Sequence, residues 1–171
     1  MTEPTTDPGG TGAESLVDEK WSQYPRTILE FLAPGAPRID LRKPLGPREH
    51  ALLRDLRLDR AFAVLTAENP WGENAEDEPT GAAEDVAERR NATRRERLER
   101  ELREAHVAFV RCDGVAPEGD YREHGVAALV ERETAVAMAR RYRQLAIFWF
   151  DGEQFWLIGA VADKPPERLP A

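Results

Sequence analysis

The order of apolar patterns along the chain predicts an α+β fold, a ferredoxin-like βαββαβ core with an added C-terminal hairpin strand and N-terminal helical segments. Three observations carry this expectation. Residues 61–66, AFAVLT, are apolar on both alternating sets, as in a central strand covered on two faces. From there the patterns read strand, helix, strand, strand, helix, strand, strand. Near the end, the apolar runs 145–150 and 155–158 flank Asp151-Gly152, a dipeptide able to supply both positive φ angles of a tight hairpin turn. No segment repeats at a fixed period, which argues against a solenoid.

Residues 1–14 mix Pro, Gly, Thr and acids without an apolar period, so they cannot offset the entropy of being ordered and are expected to form a disordered tail. A single domain is expected over 15–160, with 161–171 as a C-terminal tail. Trp21, Tyr24, Ile28, Leu29 and Phe31 or Leu32 approximate a helical face, with Pro25 restricting where that helix can run. Residues 38–42 read as a brief strand. Over 47–58, Pro47 suits a first helical turn and Ala51, Leu52 and Leu56, with Leu58 as a further candidate, share one face.

After the strand at 61–66, Asn69-Pro70 signals a turn, and the acidic, Gly/Pro-punctuated stretch 73–85 reads as a flexible loop. A helix is expected over 86–106, where Leu98, Leu102 and Ala105 recur at spacings of four and three. Strands follow at 107–112 and 124–130. A further helix buries Ala135, Met138, Ala139 and Tyr142 before the closing hairpin.

A net charge of -8 repels a phosphate backbone, so nucleic acid is not an expected partner. The lone Cys112 cannot form an internal disulfide, and no basic-then-apolar leader stands at the N-terminus, so a cytoplasmic location is expected. The longest apolar run, 145–150, is far shorter than the ~20 residues of a membrane-spanning helix, and no membrane association is expected.

The residue inventory excludes several chemistries. Serine occurs only at Ser15 and Ser22, outside any Gly-x-Ser-x-Gly elbow, so a serine hydrolase has no material. His50, His106 and His124 are scattered, and Glu73, Glu76, Asp77 and Glu78 lack the spacing of a calcium loop, so no metal is expected. Gly9-Gly10-Thr11-Gly12 has neither a preceding strand nor a following Lys-Ser/Thr pair and is no phosphate cradle. No cofactor fingerprint can be read. Cys112 and His124 would approach one another if their strands pair, although packed strand positions explain both. The arginines of the 86–106 helix are interleaved with glutamates, which reads as a mixed, solvated face.

One polar constellation remains. Thr66, Glu68 and Asn69 lie at the end of a buried strand, where sheets commonly place ligands. Asn91 lies seven residues before Leu98 and eleven before Leu102, which puts its amide on the same inward helical face. It needs hydrogen-bond partners, from the Glu68-Asn69 loop or from a ligand. Glu123 and Gln144 are further polar residues at element ends.

The segments Thr66-Ala67-Glu68-Asn69-Pro70, the helix led by Asn91, Tyr121-Arg122-Glu123 and Tyr142-Arg143-Gln144-Leu145-Ala146-Ile147 together resemble a bacterial family catalogued as domain of unknown function 3293. The similarity runs from about Trp21 to Ile158. Tyr121 replaces a more usual Trp before x-Glu, and residues 73–85 lengthen the first loop. The resemblance implies a shared fold and polar set, with no activity to carry over.

Two functional expectations follow. The first is a pocket for a small polar ligand lined by Thr66, Glu68, Asn69, Asn91, Glu123 and Gln144, with Glu123 the candidate acid or base. The second is a structural or interaction module without catalytic activity, presenting Trp149, Trp156 or the charged helix to a protein partner. The first requires Asn69, Asn91, Glu123 and Gln144 to converge around a cavity.

Overall fold

The computed structural model describes residues 11–72 and 82–171. Among them, eight strands form one antiparallel sheet in the order β2-β1-β4-β5-β3-β6-β7-β8. The strands are β1 (Ile28–Phe31), β2 (Arg38–Asp40), β3 (Phe62–Thr66), β4 (Phe109–Val115), β5 (Arg122–Ala128), β6 (Ala146–Phe150), β7 (Phe155–Gly159) and β8 (Glu167–Leu169). Four α-helices accompany them: α1 (Thr11–Gln23), α2 (Pro47–Asp55), α3 (Ala82–Glu104) and α4 (Arg132–Arg141). The chain is therefore a mixed helix-and-sheet protein. Four of the strands expected from the sequence pattern, β3, β4, β5 and β6, stand at the centre, and β2-β1 and β7-β8, of which β2 and β7 are also expected, widen the sheet on either side.

The two-residue period of a strand divides the core in two. Ala63 and Leu65 face α3 and α4, where Leu98, Leu102, Ala135, Met138 and Ala139 pack with Val126, Ala128 and Ile147. Phe62 and Val64 face the other side, with Leu53 of α2, Ala127, Phe148, Phe150 and Phe155. The Phe62, Phe150 and Phe155 rings lie with centroids 5.1–5.8 Å apart, and burying each side chain contributes roughly 1.5–3 kcal/mol. This end of the sheet is filled by large rings, while the opposite end, at Gly114 and Gly125, is hollow.

Several sequence expectations are corrected. Residues 1–10 of the expected tail lie outside the described residues, but Thr11 to Glu14 already belong to α1. The helical face expected across Trp21 to Leu32 is divided. Pro25, which lacks an N–H, sits in a 3-10 turn (Tyr24–Arg26), and Ile28–Phe31 is a strand burying Leu29 and Phe31. Helix α3 begins at Ala82, within the expected loop, whose residues 73–81 lie outside the described residues.

The C-terminal tail supplies β8, because Leu169 has a buried seat beside Phe155 at the sheet edge. At the hairpin, only Gly152 takes a positive φ, of 108°. Asp151 shapes the turn instead by accepting the N–H groups of Glu153 and Gln154 at 2.8 and 2.9 Å. No helix among the described residues is long and apolar enough to cross a membrane.

Candidate functional site

The hollow end of the sheet arises from what the strands omit. On the α2 side, β4 and β5 place Val110 and Cys112, then Ala127, against the core, followed by glycines at 114 and 125. Glu123 stands directly across from Gly114. Gly125 is demanded by close strand approach, since a Cβ there would lie 2.6 Å from the Leu65 carbonyl oxygen. At Gly114 an added Cβ would meet only Thr27 Cγ2 at 3.5 Å, an ordinary contact. The resulting cleft has a volume of about 500 Å³. Its walls come from α1 (Lys20), the 3-10 turn (Tyr24), the β3–α3 loop (Asn69, Trp71), the β4–β5 connection (Tyr121) and the α4–β6 junction (Arg143, Gln144). A deeper recess of about 40 Å³ continues between Tyr24, Thr66, Gly125 and Gln144.

The six residues singled out in the sequence divide into lining and support. Asn69, Glu123 and Gln144 line the cleft. Thr66 reaches only the deep recess, and its hydroxyl is committed: it donates to the His124 carbonyl at 2.8 Å and accepts the Glu68 N–H at 3.0 Å. Glu68 and Asn91 are not among the lining residues. Glu68, buried beneath α3, accepts from Arg95 at 2.7 Å and from the His124 N–H at 3.1 Å. Asn91 does find its partners in the loop: its Oδ1 accepts the Asn69 N–H and its Nδ2 donates to Asn69 Oδ1, both at 2.9 Å. These two bonds hold Asn69 in the left-handed region at φ 47°, a conformation Asn tolerates better than most residues. Asn91 is thus a positioning residue for Asn69.

Glu123 sits where protein surrounds it on most sides while some solvent access remains. Desolvation is the main cause that pushes its carboxyl up from the ordinary 4.5 to about 7, with repulsion from Glu68 adding to it. The Asn69 side chain, the Lys20 charge and the Tyr121 hydroxyl act in the opposite direction. Asn69 Nδ2 and Tyr121 Oη approach Glu123 Oε1 at 3.4 and 3.5 Å, long contacts with room to tighten. Burial and the Glu123 charge raise the Tyr24 and Tyr121 phenols, so both stay protonated. Gln144 Nε2 donates to the Glu68 carbonyl at 2.7 Å and the Tyr142 carbonyl at 3.2 Å. Both amide hydrogens are thereby used, and the amide oxygen remains as an acceptor at the cleft.

Sequence reasoning missed Lys20, Tyr24, Trp71, Tyr121 and Arg143 as lining residues. Tyr121 carried a signal, its place two residues before Glu123, and Gly114 and Gly125 could have been noticed as glycines on the face of β4 and β5 that otherwise carries Val110, Cys112 and Ala127. Lys20 and Tyr24 carried none, because only the tertiary fold brings α1 beside β5.

Other candidates resolve differently. Cys112 is fully buried on the α2 side, its thiol pushed up by burial. His124 pairs instead with Asp113 at 3.0 Å across β4 and β5, so the two do not form a nucleophile pair. Helix α3 is not merely a solvated charged face. Its Glu99 is buried, accepts from Arg111 at 2.7 and 2.9 Å and from Arg103 at 2.8 Å, and is held below the usual carboxylate range chiefly by Arg111. Trp149 and Trp156 are partly buried against the α3/α4-side core, and Trp156 Nε1 donates to Asp151 at 2.7 Å. Among the described residues no group of three or more His, Cys, Asp or Glu is placed to hold a metal.

All six polar residues lie between Leu65 and Ile147, inside the resemblance read from about Trp21 to Ile158 in the sequence, and the family comparison covers this narrower stretch. Residues 65–147 match the family model described as Protein of unknown function (DUF3293). The DUF3293 stretch includes the end of β3, α3, β4, β5, α4 and the start of β6, and with them Asn69, Tyr121, Glu123, Arg143 and Gln144. Lys20 and Tyr24 lie outside it. No curated protein and no solved structure matches the chain.

Proposed function

We propose that this DUF3293 protein binds a small polar metabolite in the cleft at the hollow end of its sheet. The reading rests on one observation: Asn69, Glu123 and Gln144, from three separate elements, meet around a single cavity of about 500 Å³, a size typical of small-molecule sites. The amides orient the ligand. Glu123, titrating at about 7, holds or moves a proton near neutral pH and is the candidate acid or base. The strand order β4-β5-β3-β6 supports reading the centre of the sheet as a ferredoxin-like unit within one domain over 15–160. The acidic balance and single cysteine support a cytoplasmic setting without nucleic-acid partners.

The test is thermal unfolding of the full chain against nucleotides, cofactors, amino acids and sugars. A ligand at a hundredfold excess over its Kd adds ~2.7 kcal/mol, which raises Tm by roughly 5–10 °C in a chain this size. Glu123→Gln should reduce that ligand-induced rise. A ligand whose effect is untouched by the substitution binds elsewhere, and silence across the panel refutes the reading.

A further inference from the structure

Opposite chemistries meet in this cleft. Its inner wall is rich in acceptors. Glu123 contributes a carboxyl, Gln144 an amide oxygen whose own N–H groups are spent on the Glu68 and Tyr142 carbonyls, and among the described residues no group donates to that oxygen.

The remaining walls supply cations. Lys20 and Arg143 both line the cleft and are exposed, and neither forms an ion pair among the described residues. Arg26, the other cation in the lining, is neutralised by Glu118. Elsewhere several basic side chains have acidic partners, Arg95 with Glu68, Arg111 with Glu99 and Arg122 with Asp113, while Arg140 is used on the Ala160 carbonyl.

Arg143 is also held with some care. It takes the left-handed φ of 55°, and its carbonyl accepts the Trp71 N–H at 2.7 Å. A Cβ on residue 72 would lie 3.0 Å from its guanidinium, a space that Gly72 leaves open. Lys20 is near enough to Glu123 to act on its charge.

A purely anionic ligand would meet Glu123 and Asp120, and a purely cationic one would meet Lys20 and Arg143. A molecule carrying both charges satisfies each set with its own opposite. We infer that the ligand is amphoteric, a free amino acid or a close relative with amine and carboxylate a few bonds apart, its ammonium held by Glu123 and Gln144 Oε1 and its carboxylate by Arg143 and Lys20. Tyr24, Trp71 and Phe148 leave apolar wall for a side chain. This inference rests on the proposed small-molecule site and narrows its ligand class.

Isothermal titration of the full chain with the standard L-amino acids tests it, followed for each binder by its α-amide, which lacks the carboxylate, and its deaminated acid, which lacks the amine. The expected result is that the amino acid binds about tenfold or more tighter than either analogue, as for one lost charge-assisted contact. Arg143→Gln and Lys20→Gln should weaken the amino acid but not its amide, and Glu123→Gln should weaken the amino acid but not the deaminated acid. Equal binding of the amino acid and its amide overturns the inference. If sugars or nucleosides bind in a Glu123-dependent manner while no amino acid does, the ligand class falls and the site stands. If nothing in either panel binds, both fall.

Discussion

Glu123 carries a stability cost that can be measured directly. Its carboxyl titrates at about 7 in the folded chain against an ordinary 4.5, so between those values the folded state holds more of the proton than the unfolded state. Stability contributed by the protonated acid is full below about pH 4.5, is lost progressively as pH rises, and is gone above about pH 7. Each pKa unit corresponds to about 1.4 kcal/mol, which caps the penalty of ionised Glu123 near 3 kcal/mol, and its partial solvent access reduces this to about 1–3 kcal/mol. Glu123→Gln keeps the shape and an acceptor oxygen while removing the charge. The variant should melt about 3–10 °C above the wild type at pH 8 and within about 1 °C of it at pH 4.5. Differential scanning calorimetry of both proteins at each pH cancels every other titrating group. A difference that is constant with pH, or a wild type more stable at pH 8, would refute the claim that desolvation dominates at this carboxyl.

Two further outcomes are expected. Asn91→Ala removes both bonds that hold Asn69 and should cost about 1–3 kcal/mol in urea unfolding, while also weakening any ligand-induced rise in Tm, because Asn69 is no longer fixed at the cleft. Gly125→Ala forces a Cβ to 2.6 Å from the Leu65 carbonyl oxygen and should cost about 1–3 kcal/mol. Gly114→Ala, with only Thr27 at 3.5 Å, should cost under about 1 kcal/mol; equal losses would contradict the distinction drawn between the two glycines.

Much of the fold was legible because local periodicity reports local structure. Residues 61–66 are apolar on both sets, and Phe62–Thr66 is indeed a buried strand at the centre of the sheet. Ala135, Met138 and Ala139 mark the buried face of α4 as their spacing requires. Asn69, Glu123 and Gln144 were recognisable as polar residues at element ends, and the fold places all three on one cleft.

What the sequence withheld depends on partners distant along the chain. Ile28–Phe31 and Glu167–Leu169 are short segments without a strong period, and each becomes a strand because a neighbouring strand, β4 or β7, offers hydrogen bonds and the core offers a buried seat for Leu29, Phe31 or Leu169. Whether a polar side chain faces a ligand or braces the protein is likewise decided by where its hydrogen bonds go. Asn91 and Glu68 looked equivalent to Asn69 and Gln144 in one dimension, yet their polar atoms are spent on Asn69, Arg95 and the His124 backbone. The sequence by itself determined the class of fold and the acidic, single-cysteine character of the chain. Tertiary structure alone decided the cleft, because it is made by the absence of side chains at Gly114 and Gly125 and by Lys20 and Tyr24 arriving from a helix and turn far away in the chain, and neither a gap nor a long-range approach leaves a periodic signal.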